Sequence, residues 1–147
     1  MYFEQSHVGI CVSDMERALH FYREGLGFTD GPSFAIDYAI SEMTGDVHLT
    51  SHFLHSGDLR IELLHFTQPA AFGKPSMSRN QLGLTHLSFS VEDIDAAAQR
   101  AVKHGGTIIE GTRSTPENGV HIIFLADPDG TRIELMKHPA DASWPWY

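Results

Sequence analysis

Cysteine, clustered basic residues and long apolar runs are all scarce in this chain of 147 residues. The one cysteine, Cys11, excludes a disulfide within the chain and fits a reducing cytoplasm. It lies in an apolar strand pattern, where we expect a small core residue. Lys and Arg number 10 against 19 Asp and Glu, and the net charge of −9 argues against a nucleic-acid partner, because phosphate binding needs clustered basic residues. No segment is apolar over the length that crosses a bilayer, and the N-terminus does not read as a signal peptide. We therefore expect a cytoplasmic protein without a membrane partner.

The composition is that of an ordinary folded domain. Apolar residues make up 41% of the chain and charged residues 20%, which differs from the low-hydrophobicity, high-charge profile of disordered proteins. A chain of this length has room for one domain with a proper core. We expect a single domain over residues 1–147.

One short motif occurs twice. Residues 60–63 read R-I-E-L, and residues 132–135 read R-I-E-L again. Each copy follows a glycine-containing turn, so each is predicted to be a strand entered from a tight turn. A glutamate, Glu62 or Glu134, stands among the apolar residues of each copy. Because a buried carboxylate needs a partner, the recurrence indicates one cation that serves both.

The repeat extends beyond these strands. Residues 7–14, H-V-G-I-C-V-S-D, align with residues 86–93, H-L-S-F-S-V-E-D, and a helical pattern that stops at glycine follows each. The chain therefore contains two copies of one unit, each opening with a histidine on a strand and closing with a glutamate on a strand. We place the first module at about residues 5–66, a linker at 67–82, the second module at about 83–138 and an aromatic tail at 139–147.

The periodicity of the sequence predicts a strand, a helix and three further strands in each module. In the first module the strands are predicted at residues 6–12, 34–40, 47–54 and 59–66, the helix from Ser13 or Asp14 to Leu26, and a turn at 30–32. In the second module the strands are predicted at 83–91, 107–109, 120–125 and 131–136, and the helix at 92–104.

Four segments carry a family resemblance: H-V-G-I-C-V-S-D, A-L-H-F-Y-R-E-G-L-G-F, G-L-T-H-L-S-F-S-V-E-D-I-D and L-A-D-P-D-G-T-R-I-E-L. Over residues 7–138 the chain resembles the vicinal oxygen chelate superfamily, which includes glyoxalase I, methylmalonyl-CoA epimerase, extradiol dioxygenases and the fosfomycin and bleomycin resistance proteins. The resemblance implies an α+β fold in which two βαβββ modules form an open, U-shaped mixed barrel. It also implies a homodimer.

The resemblance further implies a metal ion in the cleft between the modules. Its ligands would be His7, Glu62, His86 and Glu134, which are the residues that the internal repeat selects. Two imidazoles and two carboxylates suit one divalent ion such as Zn²⁺, Ni²⁺, Co²⁺, Mn²⁺ or Fe²⁺. The expected substrate is a small molecule with adjacent oxygens that can bind the metal.

The expected reaction is that of a lyase, isomerase or epimerase of the glyoxalase I type. The metal would make a proton next to a bound carbonyl removable, with Glu134 or Glu62 as the base. An Fe²⁺ extradiol dioxygenase is the alternative, although Glu62 supplies a surplus ligand and Phe124 stands where the ring-cleaving relatives carry a tyrosine. Fosfomycin-type thiol transfer and a metal-free binding or resistance protein are the remaining alternatives.

Further side chains are candidates for contact with the substrate. His48 and His52 alternate on one face of the third predicted strand and could relay protons, and the alternative for them is a polar outer face. The strand register decides between the two. Arg113 lies in a loop at the predicted rim, where it could bind an anionic group or merely be solvated. Phe124 is a further candidate in the second module.

Overall fold

The computed structural model describes residues 2–117 and 119–140. Most of the predicted aromatic tail, residues 141–147, lies outside this part of the chain. The chain divides into two compact units, Met1–Gly73 and Lys74–Tyr147, and the division falls inside the predicted linker. None of the described helices is long and apolar enough to cross a membrane.

The first unit is a four-stranded mixed sheet with one helical segment. Its strands are β1 (Val8–Cys11), β2 (Thr29–Asp37), β3 (His48–Ser56) and β4 (Leu59–Gln68), in the spatial order β1-β4-β3-β2. Strand β1 runs parallel to β4, and the other pairs are antiparallel. Helix α1 (Met15–His20) continues into a π-helical turn (Phe21–Gly25), which gives the predicted helix its full length.

The second unit repeats this plan. Strands β5 (Leu87–Ser90), β6 (Thr107–Ile108), β7 (His121–Ala126) and β8 (Arg132–Lys137) form a sheet in the order β5-β8-β7-β6, and helix α2 (Ile94–Lys103) follows β5. Strand β5 is parallel to β8, as β1 is to β4. The predicted fold class, two βαβββ modules of mixed sheet and helix, is confirmed.

An aspartate caps the N-terminus of each helix. Asp14 is one of the two predicted caps of α1, whereas α2 begins after Asp93, at Ile94 rather than at the predicted residue 92. The side chain of Asp14 accepts a hydrogen bond from the backbone N–H of Arg17 at 2.9 Å. The side chain of Asp93 accepts from the backbone N–H groups of Asp95 and Ala96, both at 3.0 Å. Such bonds satisfy donors that the first helical turn leaves unpaired. They also lower the pKa of Asp93, chiefly through the bond from Ala96, since they favour its charged form.

The alternation of side chains in β4 and β8 turns the glutamates away from the core. Ile61 and Leu63 flank Glu62 and are fully buried, and Ile133 and Leu135 flank Glu134 in the same way. Because successive strand residues point to opposite faces, each glutamate lies on the face of its sheet opposite to these core residues.

Three local predictions were wrong. The turn predicted at residues 30–32 is part of β2, which continues through it with an irregular register between Asp30 and Ser33. Strand β2 is an edge strand, where a proline is tolerated because its missing N–H breaks no ladder. Strands β1 and β5 begin one residue after His7 and His86, so both histidines precede their strands. Cys11 is exposed, whereas a core position was the expectation.

The Gly31→Ala variant is expected to lower the free energy of unfolding by about 1–3 kcal/mol, because a Cβ there would meet the backbone oxygen of Phe53 at 3.1 Å and its Cβ at 3.2 Å. The control is Gly9→Ala, whose Cβ would make an ordinary contact with Leu64 at 3.6 Å. That variant should leave stability unchanged or raise it by up to about 1 kcal/mol. Urea unfolding measures both, and equal destabilisation would contradict the close packing of β2 on β3.

Candidate active site

The first unit holds a histidine and a glutamate in contact. The parallel register of β1 and β4 sets Gly9 opposite Glu62, so that His7, two residues earlier, is carried beside the glutamate. The Nε2 atom of His7 lies 3.1 Å from Oε2 of Glu62. Both side chains are partly open to solvent, at 35% and 18% exposure, so the pair remains accessible.

The second unit holds the equivalent pair. Ser88 lies opposite Glu134 in the parallel ladder of β5 and β8, which is the register that Gly9 and Glu62 adopt. The Nε2 atom of His86 lies 3.4 Å from Oε2 of Glu134. This pair is more buried, since the side chain of Glu134 is only 10% exposed. The duplicated sequence therefore builds the same contact twice.

A hydroxyl group lies next to the other ring nitrogen of each histidine. The Oγ of Ser6 is 3.0 Å from Nδ1 of His7, and the Oγ1 of Thr85 is 2.8 Å from Nδ1 of His86. A hydroxyl oxygen can accept a hydrogen bond from an Nδ1–H group, and in that tautomer the lone pair of Nε2 is available. Partners of this kind orient the histidines of metal sites in proteins.

Serine hydroxyls also fix the two carboxylates, but from different strands. Ser51 on β3 donates to Oε1 of Glu62 at 2.5 Å, so both oxygens of Glu62 are engaged. Ser88 on β5 donates to Oε2 of Glu134 at 2.7 Å, the oxygen that already faces His86. Within the part of the chain that the structure describes, nothing hydrogen bonds to Oε1 of Glu134. The two glutamates therefore differ in how much acceptor capacity they keep.

A phenylalanine braces each imidazole. Phe53 is the cross-strand neighbour of Glu62, and its ring meets His7 edge to face at 5.2 Å. Phe124 is the cross-strand neighbour of Glu134, and its ring meets His86 in the same way at 5.3 Å. Sequence reasoning missed this role for both, although each phenylalanine stands nine or ten residues before its glutamate across a predicted hairpin. Phe124 is buried, with 1% exposure, so it supports His86 from within the sheet.

His48 and His52, predicted as possible proton relays, bind other carboxylates. The Nε2 of His52 lies 2.8 Å from Oδ1 of Asp30, and His48 contacts Asp37, its cross-strand partner on β2. By strand alternation His52 leaves β3 on the face opposite to Phe53, and thus to the His7 pair. These contacts agree with the alternative of a polar role away from the site rather than with a proton relay.

Asp30 also binds Arg23, whose Nε lies 2.8 Å from Oδ1. Burial acts to raise the pKa of Asp30, but the hydrogen bonds from Arg23 and His52 outweigh it, so its pKa lies below the usual value. These contacts of Asp30 stabilise the first unit.

Arg113 forms an ion pair with a carboxylate of α2. Its Nη2 lies 2.5 Å from Oδ1 of Asp95, and both side chains are more than half exposed. This contact favours the alternative of a solvated surface residue over an anion contact, and surface pairs of this kind contribute little to stability.

The site residues thus form two pairs, one in each unit. Over residues 2–117 and 119–140, no group of three or more His, Cys, Asp or Glu side chains is gathered at metal-binding distance. Each pair offers one imidazole nitrogen and one carboxylate, which are ligands that Zn²⁺ and its neighbours in the first transition row accept. The donor chemistry and the oriented Nε2 atoms of each pair fit a divalent metal ion.

A pocket of about 370 Å³ opens beside Phe53 in the first unit. Its lining includes Phe34, Phe53, His55 and Arg60, and most of its accessible wall is apolar. Because Phe53 also touches His7, the pocket adjoins the first pair and could receive the apolar part of a ligand.

The Ser51→Ala variant should lower the free energy of unfolding by about 1–3 kcal/mol, because it removes the hydroxyl that bonds the Glu62 carboxylate from a buried position. Ser56→Ala, at the end of the same strand, is the control and should change stability by less than about 0.5 kcal/mol. Urea unfolding without added metal compares them. If both variants unfold at the same urea concentration, the hydroxyl does not hold the carboxylate.

The sequence matches a known protein family and several known proteins. The model of the Glyoxalase/Bleomycin resistance protein/Dioxygenase superfamily matches residues 4–135. Escherichia coli YaeR, an uncharacterised protein, is 34% identical over 131 residues, which are 89% of this chain and 93% of YaeR. The ethylmalonyl-CoA/methylmalonyl-CoA epimerase of Cereibacter sphaeroides is 32% identical over 140 residues, with 88% of this chain and 94% of the epimerase covered.

A solved structure agrees as well. The glyoxalase family protein of Bacillus cereus superposes with a TM-score of 0.80 at 22% identity, over 93% of this chain and 95% of that protein. At 22% identity this similarity shows only that the two proteins share a fold. The family model covers most of the chain, and the resemblance inferred from the motifs is confirmed: the chain belongs to the Glyoxalase/Bleomycin resistance protein/Dioxygenase superfamily.

Proposed function

We propose that this chain is a divalent-metal-dependent enzyme that moves a proton at a carbon next to a carbonyl group. The observation that carries the proposal is the duplication of one contact, in which an imidazole Nε2 faces a carboxylate oxygen at 3.1 Å in one unit and at 3.4 Å in the other. One such pair offers only two ligands, whereas two pairs together offer four, and catalytic zinc sites in proteins use at least three protein ligands.

His7, Glu62, His86 and Glu134 would hold the metal. When bound, the metal acts as a Lewis acid that polarises a carbonyl oxygen and so acidifies the neighbouring C–H. The two carboxylates balance the charge of a divalent ion, and the hydroxyls of Ser6 and Thr85 keep the imidazoles oriented toward it.

Glu134 is the proposed base. Its Oε2 atom is occupied by the hydroxyl of Ser88 and faces His86, while Oε1 keeps its acceptor capacity. A carboxylate that is fixed through one oxygen can take a proton with the other and return it without moving its backbone. Glu134 as a whole residue is only 8% exposed, and this burial limits the water that could compete for the proton.

Glu62 is proposed to act mainly as a ligand. Ser51 occupies its Oε1 and His7 faces its Oε2, so it has less freedom than Glu134 to accept a proton. This difference assigns separate roles to two glutamates that the repeated sequence makes look alike.

Among reactions of this class, epimerisation is supported by the epimerase of Cereibacter sphaeroides, which covers nearly the same length at 32% identity. A lyase or isomerase of the glyoxalase type would use the same residues in the same roles. The extradiol dioxygenase is less well supported, because Phe124 is buried against His86 and carries no hydroxyl for a catecholate.

Protein purified without added metal should contain one divalent ion per chain by elemental analysis. That ratio is expected both for a site within the chain and for one shared between the chains of the predicted homodimer. His7→Ala and His86→Ala should each lower metal affinity by more than about 10-fold, because each pair supplies half of the ligands. His65→Ala, on the site strand β4, is the control and should retain the ion. Unchanged metal affinity in either His7→Ala or His86→Ala would contradict the proposal.

Methylmalonyl-CoA incubated with the protein in D₂O should exchange its α-proton, as followed by NMR. Glu134→Gln should slow the exchange by about 10²–10⁴-fold, because it removes the base. Glu92→Gln, exposed before α2, is the control and should match the unchanged protein. If the protein instead consumes oxygen with catechols and does not exchange the proton, it is a ring-cleaving dioxygenase. If it shows neither reaction and contains no metal, it is a binding protein.

A further inference from the structure

A buried arginine stands beside the proposed base. Arg132 opens β8 two residues before Glu134, so both side chains leave the same face of the sheet. Arg132 is only 5% exposed, and its Nη1 donates to the backbone oxygen of Met77 at 3.2 Å. Its Nε is buried and has no hydrogen-bond partner in the described part of the chain.

Among the described residues, this guanidinium also lacks a counter-ion. Across residues 2–117 and 119–140 no carboxylate lies within ion-pair distance of Arg132, although Glu134 leaves the same face of the same strand. A buried charge without a partner is costly, and proteins keep one where a ligand supplies the opposite charge. The unpaired N–H of Arg132 therefore indicates a group that is to be bound.

Two arginines, Arg132 and Arg79, stack on the ring of Phe124. The guanidinium carbon of Arg132 lies 4.7 Å from the centre of the Phe124 ring, and that of Arg79 lies 4.8 Å from it. Stacking on a ring holds a guanidinium in place without using its N–H donors. The edge contact of this ring with His86 sets both cations next to the second histidine–glutamate pair.

The first unit shows that the fold does not require this arrangement. Arg60 occupies the position of Arg132 in the repeated R-I-E-L motif, yet it is exposed and has no stacking contact with Phe53 among the described residues. The histidine, the hydroxyl next to its Nδ1 atom, the glutamate and the phenylalanine are otherwise matched between the units. The buried arginine is therefore a property of the second unit alone.

The bond to Met77 does not account for Arg132 by itself. A guanidinium has five N–H donors, and the contact with the Met77 oxygen uses one of them. A tether for the segment before β5 would need neither the second arginine on the ring nor a buried, unbonded Nε.

We propose that Arg132, assisted by Arg79, binds an oxyanion of the substrate next to Glu134. The fork of a guanidinium matches the geometry of a carboxylate or a phosphate, so the ligand is a carbonyl compound that carries one of these groups near the carbon that loses its proton. This inference rests on the proposed function for the reacting carbon, whereas the oxyanion site itself stands on the contacts of Arg132 and Arg79.

The test is calorimetric titration of the full chain with malonate and, separately, with inorganic phosphate, after chelation and dialysis so that a metal ion cannot hold the anion. One anion should bind per chain, and the tighter of the two identifies the substrate group as carboxylate or phosphate. Arg132→Gln should weaken binding at least about 10-fold, and Arg79→Gln should weaken it by a smaller factor, because Arg79 is exposed. Arg113→Gln, which removes the surface partner of Asp95, is the matched control and should bind like the unchanged chain.

Two results overturn the inference: no binding by the unchanged chain, or equal affinity in the Arg132 and Arg113 variants. If circular dichroism shows that Arg132→Gln does not fold, Arg79→Gln and Arg132→Lys decide, since the lysine keeps the charge and loses the fork. Weakened binding in both supports the site, and unchanged binding in both overturns it. Metal content separates this inference from the proposed function, because loss of the oxyanion site leaves metal bound and a failed metal site leaves the oxyanion titration intact.

Discussion

A carboxylate in the middle of a buried strand is the constraint on which the site depends. In β8, Glu134 lies between Ile133 and Leu135, whose burial stabilises the second unit, and the same arrangement surrounds Glu62 in β4. The alternation of a strand makes this possible, because the residues that fill the core force the residue between them onto the other face. Each carboxylate then needs hydrogen-bond donors there, and a serine and a histidine surround each one. Packing and chemistry are therefore set by the same three residues of each strand.

Duplication supplies two similar pairs whose surroundings differ. Ser51 approaches Glu62 from β3, whereas Ser88 approaches Glu134 from β5, and only the second arrangement leaves a carboxylate oxygen available. The second unit also buries Arg132 on the face of its glutamate. The first unit instead opens an apolar pocket beside Phe53. The buried arginine and the available carboxylate oxygen therefore lie in the second unit, and the apolar pocket lies in the first.

Much of the fold was predictable because its signals are local and occur twice. The caps at Asp14 and Asp93, the glycines that stop the helices and the R-I-E-L strands identify the βαβββ order without knowledge of tertiary contacts. The turn wrongly predicted at residues 30–32 shows the limit of this reasoning. Gly and Pro in sequence favour a turn, but pairing with β3 kept the segment extended at the sheet edge. Tertiary context overrode local propensity there.

The candidate site was predictable in its four principal residues, since a histidine and a glutamate recur at matching places. The supporting residues were not, because their roles depend on the strand register. Phe53 touches His7 only because β3 pairs with β4 in one register, and that register turns His52 to the other face. Arg132 looks identical to Arg60 in the sequence, and only burial separates them.

The central claim is that both histidine–glutamate pairs serve one divalent ion. X-ray absorption spectroscopy at the zinc or cobalt edge of the metal-loaded protein tests it most directly, because imidazole rings give a characteristic multiple-scattering signal that carboxylates lack. The account predicts two imidazoles together with oxygen ligands around a single ion, and one imidazole after His7→Ala. A spectrum without imidazole, or one that His7→Ala leaves unchanged, would contradict it.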